Sequence, residues 1–297
     1  MYMYIVFLLL AAVLSSGGLS LSYKKGANAG TDAMSSPPLM SMIASLLISL
    51  FFVVMGFIRN GGISVPNPMS YLYSAGCGIA YALASFFYLE ALARGPYTLS
   101  VVITNVSSFM PILYAGIFLG ERVTPVQVLS ILLILTACVM LTAIRSKDVS
   151  SDRRITLKWV IFAILSFSTN GFISFFVRVN VVLTPETSIN SFYAFAYVCS
   201  ALISLITFAS TGGFKKKVPA KPLLLPSAGV AGFLSVKLIP NALLAGLLPS
   251  AIQYPLMNGS VILFNVLIGL VVFKEKLSIW GCVCIGVIIA SMCLLGL

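Results

Sequence analysis

The side chains available for chemistry are few: seven carboxylates stand against eighteen Lys and Arg, and there is no histidine. One of the cations, Lys237, lies in the middle of an apolar run over residues 223–246, with Asn241 one helical turn along on the same face. A lysine at such a depth is costly to insert. One reading is a cationic contact in a water-filled cavity for a carboxylate or phosphate; the other is a misplaced boundary, with the ammonium reaching an interface. Polar residues keep the same spacing of four elsewhere. Ser16 pairs with Ser20 and Asn170 with Ser174 as stripes on single helix faces, and Lys24 and Arg178 follow a turn later, placed to steer anions toward opposite mouths. Asn105 and Asn258 set amides inside two further apolar stretches, where they either bond a neighbouring helix or line a cavity. With Tyr254, these form the candidate substrate-binding set: Lys237, Asn241, Asn105, Asn258, Tyr254, Ser16, Ser20, Asn170 and Ser174.

The remaining reactive residues point away from catalysis. There is no His-Glu pair, no metal-spaced carboxylate set, no nucleophile elbow and no phosphate loop, so no catalytic residue, metal or cofactor is expected. Glu90 and Arg94 stand at i, i+4 with the acid first, the favourable order for a structural pair near a helix end. Glu121 and Glu275 fall in short turns flanked by basic residues, where local charge balance accounts for them. No carboxylate lies near a helix centre, so an intramembrane proton relay, and with it proton-driven export of cationic drugs, is not expected. Facilitated movement or exchange of a polar metabolite fits better, as does coupling to a proton carried by the substrate or by Lys237 itself. The six cysteines fall inside predicted helices; Cys282 and Cys284 point about 200° apart on a helix, poor geometry for holding a metal.

The elements that must position these groups are membrane helices. A chain of 297 residues that is 60% hydrophobic and 8% charged is far from soluble composition. The apolar runs are long and continuous, which favours helices over a barrel. Helices are expected at 3–22, 39–58, 69–93, 98–119, 124–144, 157–178, 188–210, 223–246, 250–273 and 277–297, with a break at 247–249 because fifty residues exceed one crossing. The expected fold is therefore all-α, a polytopic protein of ten transmembrane helices. The net charge of +11 sits mainly between helices, where it sets topology and does not imply nucleic acid. The first helix begins without positive charge, so it reads as retained and not as a secretory signal.

Laid on itself with a shift of 154 residues and no gap, the chain matches at separate places. Glu121-Arg122-Val123-Thr124 falls on Glu275-Lys276-Leu277-Ser278, Gly78 on Gly232, Gly17 on Gly171, Ser16 on Asn170, Ser20 on Ser174 and Lys24 on Arg178. Lys237 falls on Leu83, which sits deep in the helix expected at 69–93. Residues 1–146 and 157–297 then form two five-helix repeats joined by a basic loop, 147–156. Five is odd, so the second repeat enters from the opposite side, an inverted plan that recurs in secondary transporters working by alternating access.

Ser107-Ser108-Phe109-Met110-Pro111, followed by Phe118-Leu119-Gly120-Glu121-Arg122-Val123-Thr124, resembles the drug/metabolite transporter superfamily and its ten-helix EamA-like members. The weaker copy Val272-Phe273-Lys274-Glu275-Lys276-Leu277-Ser278 departs from the pattern, with Asn265 in place of Pro111 and Lys274 in place of Gly120. The resemblance implies a membrane transporter. Its nucleotide-sugar and triose-phosphate branches carry a basic pair in the ninth helix; here that region reads Tyr254-Pro255-Leu256-Met257-Asn258-Gly259-Ser260, against a phosphate-sugar cargo. The expected function is transport of a small anionic or zwitterionic metabolite, amino acid or organic acid, with a membrane-embedded enzyme acting on a lipid-linked substrate as the alternative. The partners are that substrate and the lipid bilayer, the site a bacterial cytoplasmic membrane, and the oligomeric state is left open, a monomer being plausible. Fourteen Lys and Arg follow odd-numbered helices and three lie on the other side, which places both termini outside; the resemblance implies cytoplasmic termini, and the charge count is followed here.

Overall fold

Inside hydrocarbon the backbone has only itself to bond to, and long runs of Leu, Ile, Val, Phe and Ala satisfy that demand as helices. The computed structural model describes residues 2–29, 36–65, 67–94, 100, 104, 107, 109–148, 156–216, 220–271 and 279–294, and among them every regular element is a helix. These are α1 (Tyr2–Ala29), α2 (Ser36–Asn60), α3 (Pro68–Arg94), α4 (Phe109–Phe118), α5 (Pro125–Asp148), α6 (Leu157–Leu183), α7 (Ile189–Ser210), α8 (Lys221–Leu247), α9 (Ser250–Val271) and α10 (Ile279–Leu294), with a short turn at Gly213–Lys216 before α8. Five of them, α2, α3, α6, α7 and α8, are long and apolar enough to cross a membrane; Met3–Leu19, Pro125–Ile134 and Ile279–Ser291 are shorter apolar stretches.

Local chemistry sets the boundaries. Pro37 and Pro38 in the first turn of α2, Pro68 and Pro125 at the starts of α3 and α5, and Pro222 in α8 occupy positions whose N–H would have no helical partner. Thr156 and Ser188 cap α6 and α7, their side chains accepting from the backbone N–H of Trp159 and Ser191. Gly120, at φ 67, makes the turn after α4 in a conformation that other residues avoid. The expected break at 247–249 is where α8 gives way to α9.

Three expectations are corrected. The fourth helix is not continuous over 98–119: Thr104 is helical, Ser107 lies in a turn, and α4 begins at Phe109. Pro111 is the reason, since its ring conflicts with the carbonyl four residues earlier, that of Ser107. Second, α1 and α6 extend well past residues 22 and 178. Third, and as a result, Arg178, expected at a helix end where it would steer anions toward one mouth, is a buried residue inside α6.

The helices pack mainly in pairs. α3 lies on α6 and α8 on α1; α3 also meets α7, and α8 meets α2; α4 touches α6, and α9 touches α1; α2 runs along α7 and α5 along α10. The core gathers where α2, α3, α6, α7 and α8 meet, around Phe52, Cys77, Val177, Tyr193 and Leu234. At Gly78 the backbones of α3 and α7 come so close that a Cβ would overlap the Ala196 carbonyl oxygen. A buried serine ladder joins α2 to α7: Ser41 with Ser204 at 3.1 Å, Ser45 with Ser200 at 2.8 Å, and Ser49 donating to the Ala194 carbonyl at 3.0 Å. Hydroxyl bonds of this kind replace the hydrophobic drive that helices lack in lipid.

The α2–α3 and α6–α7 turns are tied together at one end of the bundle. Ser70 Oγ meets Asn180 Oδ1 at 2.7 Å and the hydroxyls of Thr184 and Thr187 at 2.8 and 2.9 Å. Outside this hub the Asn67 amide donates to Glu186 at 2.8 Å. A backbone hydrogen bond at Glu186 and this amide hold the carboxyl below its ordinary range.

Candidate functional site

A cavity of about 200 Å³ opens where α1, α3, α6, α7, α8 and α9 converge beside the break before α4. Seven of the nine expected site residues line it: Ser16, Asn170, Ser174, Lys237, Asn241, Tyr254 and Asn258. Asn105 and the Ser20 side chain lie outside the described residues.

Lys237 brings the formal charge. Among the described residues the ion pairs are Glu90–Arg94 and Arg178–Glu121, and neither reaches it. The amides around it are each half committed to the protein. Asn241 on α8 accepts at Oδ1 from Gln253 Nε2 at 3.0 Å, which leaves its Nδ2 hydrogens for the cavity. Asn258 on α9 donates to the Tyr254 carbonyl at 2.8 Å, leaving Oδ1; Tyr254 in turn donates to the Ser174 carbonyl at 2.9 Å and so fastens α9 to α6.

Asn170 works on the broken fourth segment. Its Nδ2 donates to the Thr104 carbonyl at 3.1 Å and to Ser107 Oγ at 2.7 Å, bonds made possible because the helix stops there. Ser107 adds its own bonds to that carbonyl, N–H at 3.3 Å and Oγ at 2.5 Å. Irregular backbone at membrane depth is tolerable where it is bonded in this way and lines a cavity.

Sequence reasoning missed the opposite wall. Tyr23, Tyr81, Tyr88 and Tyr197 line it, with the hydroxyls of Tyr23 and Tyr81 3.2 Å apart and edge-to-face contacts Tyr23–Tyr88 and Tyr81–Tyr197 at 5.6 and 4.9 Å between ring centres. Tyr81, Ser85 and Tyr88 follow i, i+4, i+7 along α3, a polar stripe that could have been read beside the others. The lining is also paired at the 154-residue shift: Ser16 with Asn170, Leu19 with Ile173, Ala84 with Leu238, Thr104 with Asn258 and Ser107 with Val261.

One turn beyond the cavity lies a second group. Arg178 donates from Nε to Glu121 Oε1 at 2.8 Å, its Nη2 stands 2.6 Å from the same oxygen, and Nη1 reaches the carbonyls of Leu248, at 2.8 Å, and Ala245. Glu121 Oε2 accepts from the Ser250 backbone N–H at 2.8 Å, satisfying an orphan donor at the start of α9. Glu121 is thus balanced by a residue 57 positions away, not by its neighbours. At the end of α3, Glu90 and Arg94 form the expected pair at 2.5 Å, with the Arg94 guanidinium 5.0 Å from the centre of the Phe162 ring on α6.

Residues 3–143, just under half of the chain, match the EamA-like transporter family, part of the drug/metabolite transporter superfamily of membrane transporters. A solved crystal structure of a protein has the same fold, with a TM-score of 0.68 over 98% of this chain and 97% of its own at 17% identity. No curated protein matches the chain.

Proposed function

We propose that the whole chain is a carrier that moves a small anionic or zwitterionic metabolite, an amino acid or organic acid, across a bacterial cytoplasmic membrane by alternating access. The observation that carries this reading is Lys237, a cation lining a central cavity without a carboxylate partner among the described residues. A charge kept in that position needs an anion to repay its desolvation, and a carboxylate passing through supplies one. Asn241 Nδ2, one turn away, is a second donor for the same group, while Asn170 and Asn258 offer amide oxygens to a substrate ammonium or hydroxyl.

The ten-crossing, inverted-repeat plan is part of the proposal. Its support is that the most extensively packed helix pairs have counterparts five helices on, α3–α6 with α8–α1, α3–α7 with α8–α2, α4–α6 with α9–α1, while α2–α7 and α5–α10 map onto themselves. Two halves related in this way can exchange conformations around one midplane site. By the charge count, the basic loops face the cytoplasm and the Arg178–Glu121 end faces outward.

The test is counterflow in proteoliposomes with a radiolabelled panel of amino acids, organic acids, nucleosides and organic cations. Saturable exchange of one or more carboxylates is expected, with nucleosides and cations left behind. Exchange confined to organic cations would refute an anion site at Lys237.

A further inference from the structure

We infer that the Glu121–Arg178 pair is a latch that holds one mouth of the cavity shut and must part each time that mouth opens. The inference rests on the transport reading above, but its geometry is independent of any substrate. Three cavity-lining residues have a latch residue one turn further along the same helix face: Ser174 precedes Arg178 on α6, Asn241 precedes Ala245 on α8, and Tyr254 follows Ser250 on α9. The latch is therefore the next layer of the bundle beyond the cavity, about 6 Å away along the helix axes.

Its bonds cross the elements that would have to separate. Arg178 brings α6 to the end of α8 through the Ala245 and Leu248 carbonyls, which lack a helical donor of their own near that terminus. Glu121 ties the α4–α5 turn both to Arg178 and to the first N–H of α9. Four segments meet on one guanidinium and one carboxylate. Both side chains are largely shielded, Arg178 at 9% and Glu121 at 17% exposure, so the pair is strong while made and costly to leave half made.

Removing either partner leaves the other buried and unpaired, which penalises the closed arrangement more than one in which water enters. At the 154-residue shift Arg178 corresponds in sequence to Lys24 and Glu121 to Glu275, with the signs of charge kept.

The test uses the full-length protein in oriented vesicles, with native cysteines removed and Ser174→Cys as a reporter inside the cavity. An impermeant maleimide is added to one side at a time, on the parent and on the Glu121→Gln and Arg178→Met variants. Labelling from the latch side should be roughly tenfold faster in both variants, the effect of removing about 1.4 kcal/mol from the closed form, and no faster from the opposite side. Unchanged or slower labelling from the latch side in both would overturn the proposal. Monodisperse elution identifies folded protein; should Arg178→Met fail there, Glu121→Gln, which keeps shape and loses only charge, decides. Because the readout is accessibility and not transport, a failed latch and a failed substrate assignment give different results.

Discussion

Replacing Lys237 with Met should make the protein more stable and bind its substrate less well, and both effects can be read from one preparation. Met keeps the unbranched, flexible shape of the side chain, one atom shorter, and removes the charge. On insertion scales a lysine at a helix centre costs roughly 2.5–3.5 kcal/mol, and because Lys237 lines a cavity that water can enter, about 1 kcal/mol of that should be recovered on substitution. On the substrate side, a hydrogen bond to a charged group contributes roughly 1.5–3 kcal/mol, so affinity should fall about 10- to 150-fold at 1.4 kcal/mol per factor of ten. The assay pairs thermal unfolding, followed by size-exclusion elution in detergent, with counterflow over a range of substrate concentrations. A higher midpoint and a raised KM for Lys237→Met, partly reversed in Lys237→Arg, are the expected outcome. A variant less stable than the parent and unchanged in KM would show that the ammonium holds the protein together and is not reserved for a ligand.

Two packing predictions follow from the same geometry. Asn170→Leu deletes both bonds from the amide to the break before α4; at roughly 0.6 kcal/mol each in a membrane protein the loss is about 1.2 kcal/mol, readable as a lower unfolding midpoint. Gly78→Ala forces a methyl against the Ala196 carbonyl oxygen, which cannot rotate away, and should cost about 1–3 kcal/mol by the same measurement. Its counterpart at the 154-residue shift, Gly232, has open space at Cβ, so Gly232→Ala should be neutral or slightly stabilising through helix propensity.

What could be read beforehand depended on contrast. Lys237, Asn241, Asn170 and Asn258 were visible because polar groups are rare inside apolar runs, and the same rarity explains why they converge on one cavity. The α8–α9 break was visible because length forbade one crossing. Tyr23, Tyr81, Tyr88 and Tyr197 were hidden by their rings, which count as apolar in any hydropathy reading although these residues line the cavity. The interruption at Ser107 was hidden for a similar reason, since its surroundings remain hydrophobic and only the clash of Pro111 with a carbonyl stops the helix. Arg178 was misjudged because it closes an apolar run, the usual position of an interfacial charge; its actual partners come from α8 and the α4–α5 turn, and no local pattern announces a contact 57 residues away.

The serine ladder between α2 and α7 has a mechanical corollary. Ser41, Ser45 and Ser49 stand four apart on one helix, and Ser200 and Ser204 four apart on the other, running the opposite way. A slide of one turn, about 6 Å, would set Ser45 against Ser204 and Ser49 against Ser200, again two hydroxyl rungs. Halfway along the slide no hydroxyl faces another. The spacing of the hydroxyls thus allows two matched registers one turn apart, the observed one and its neighbour, with no matched register between them.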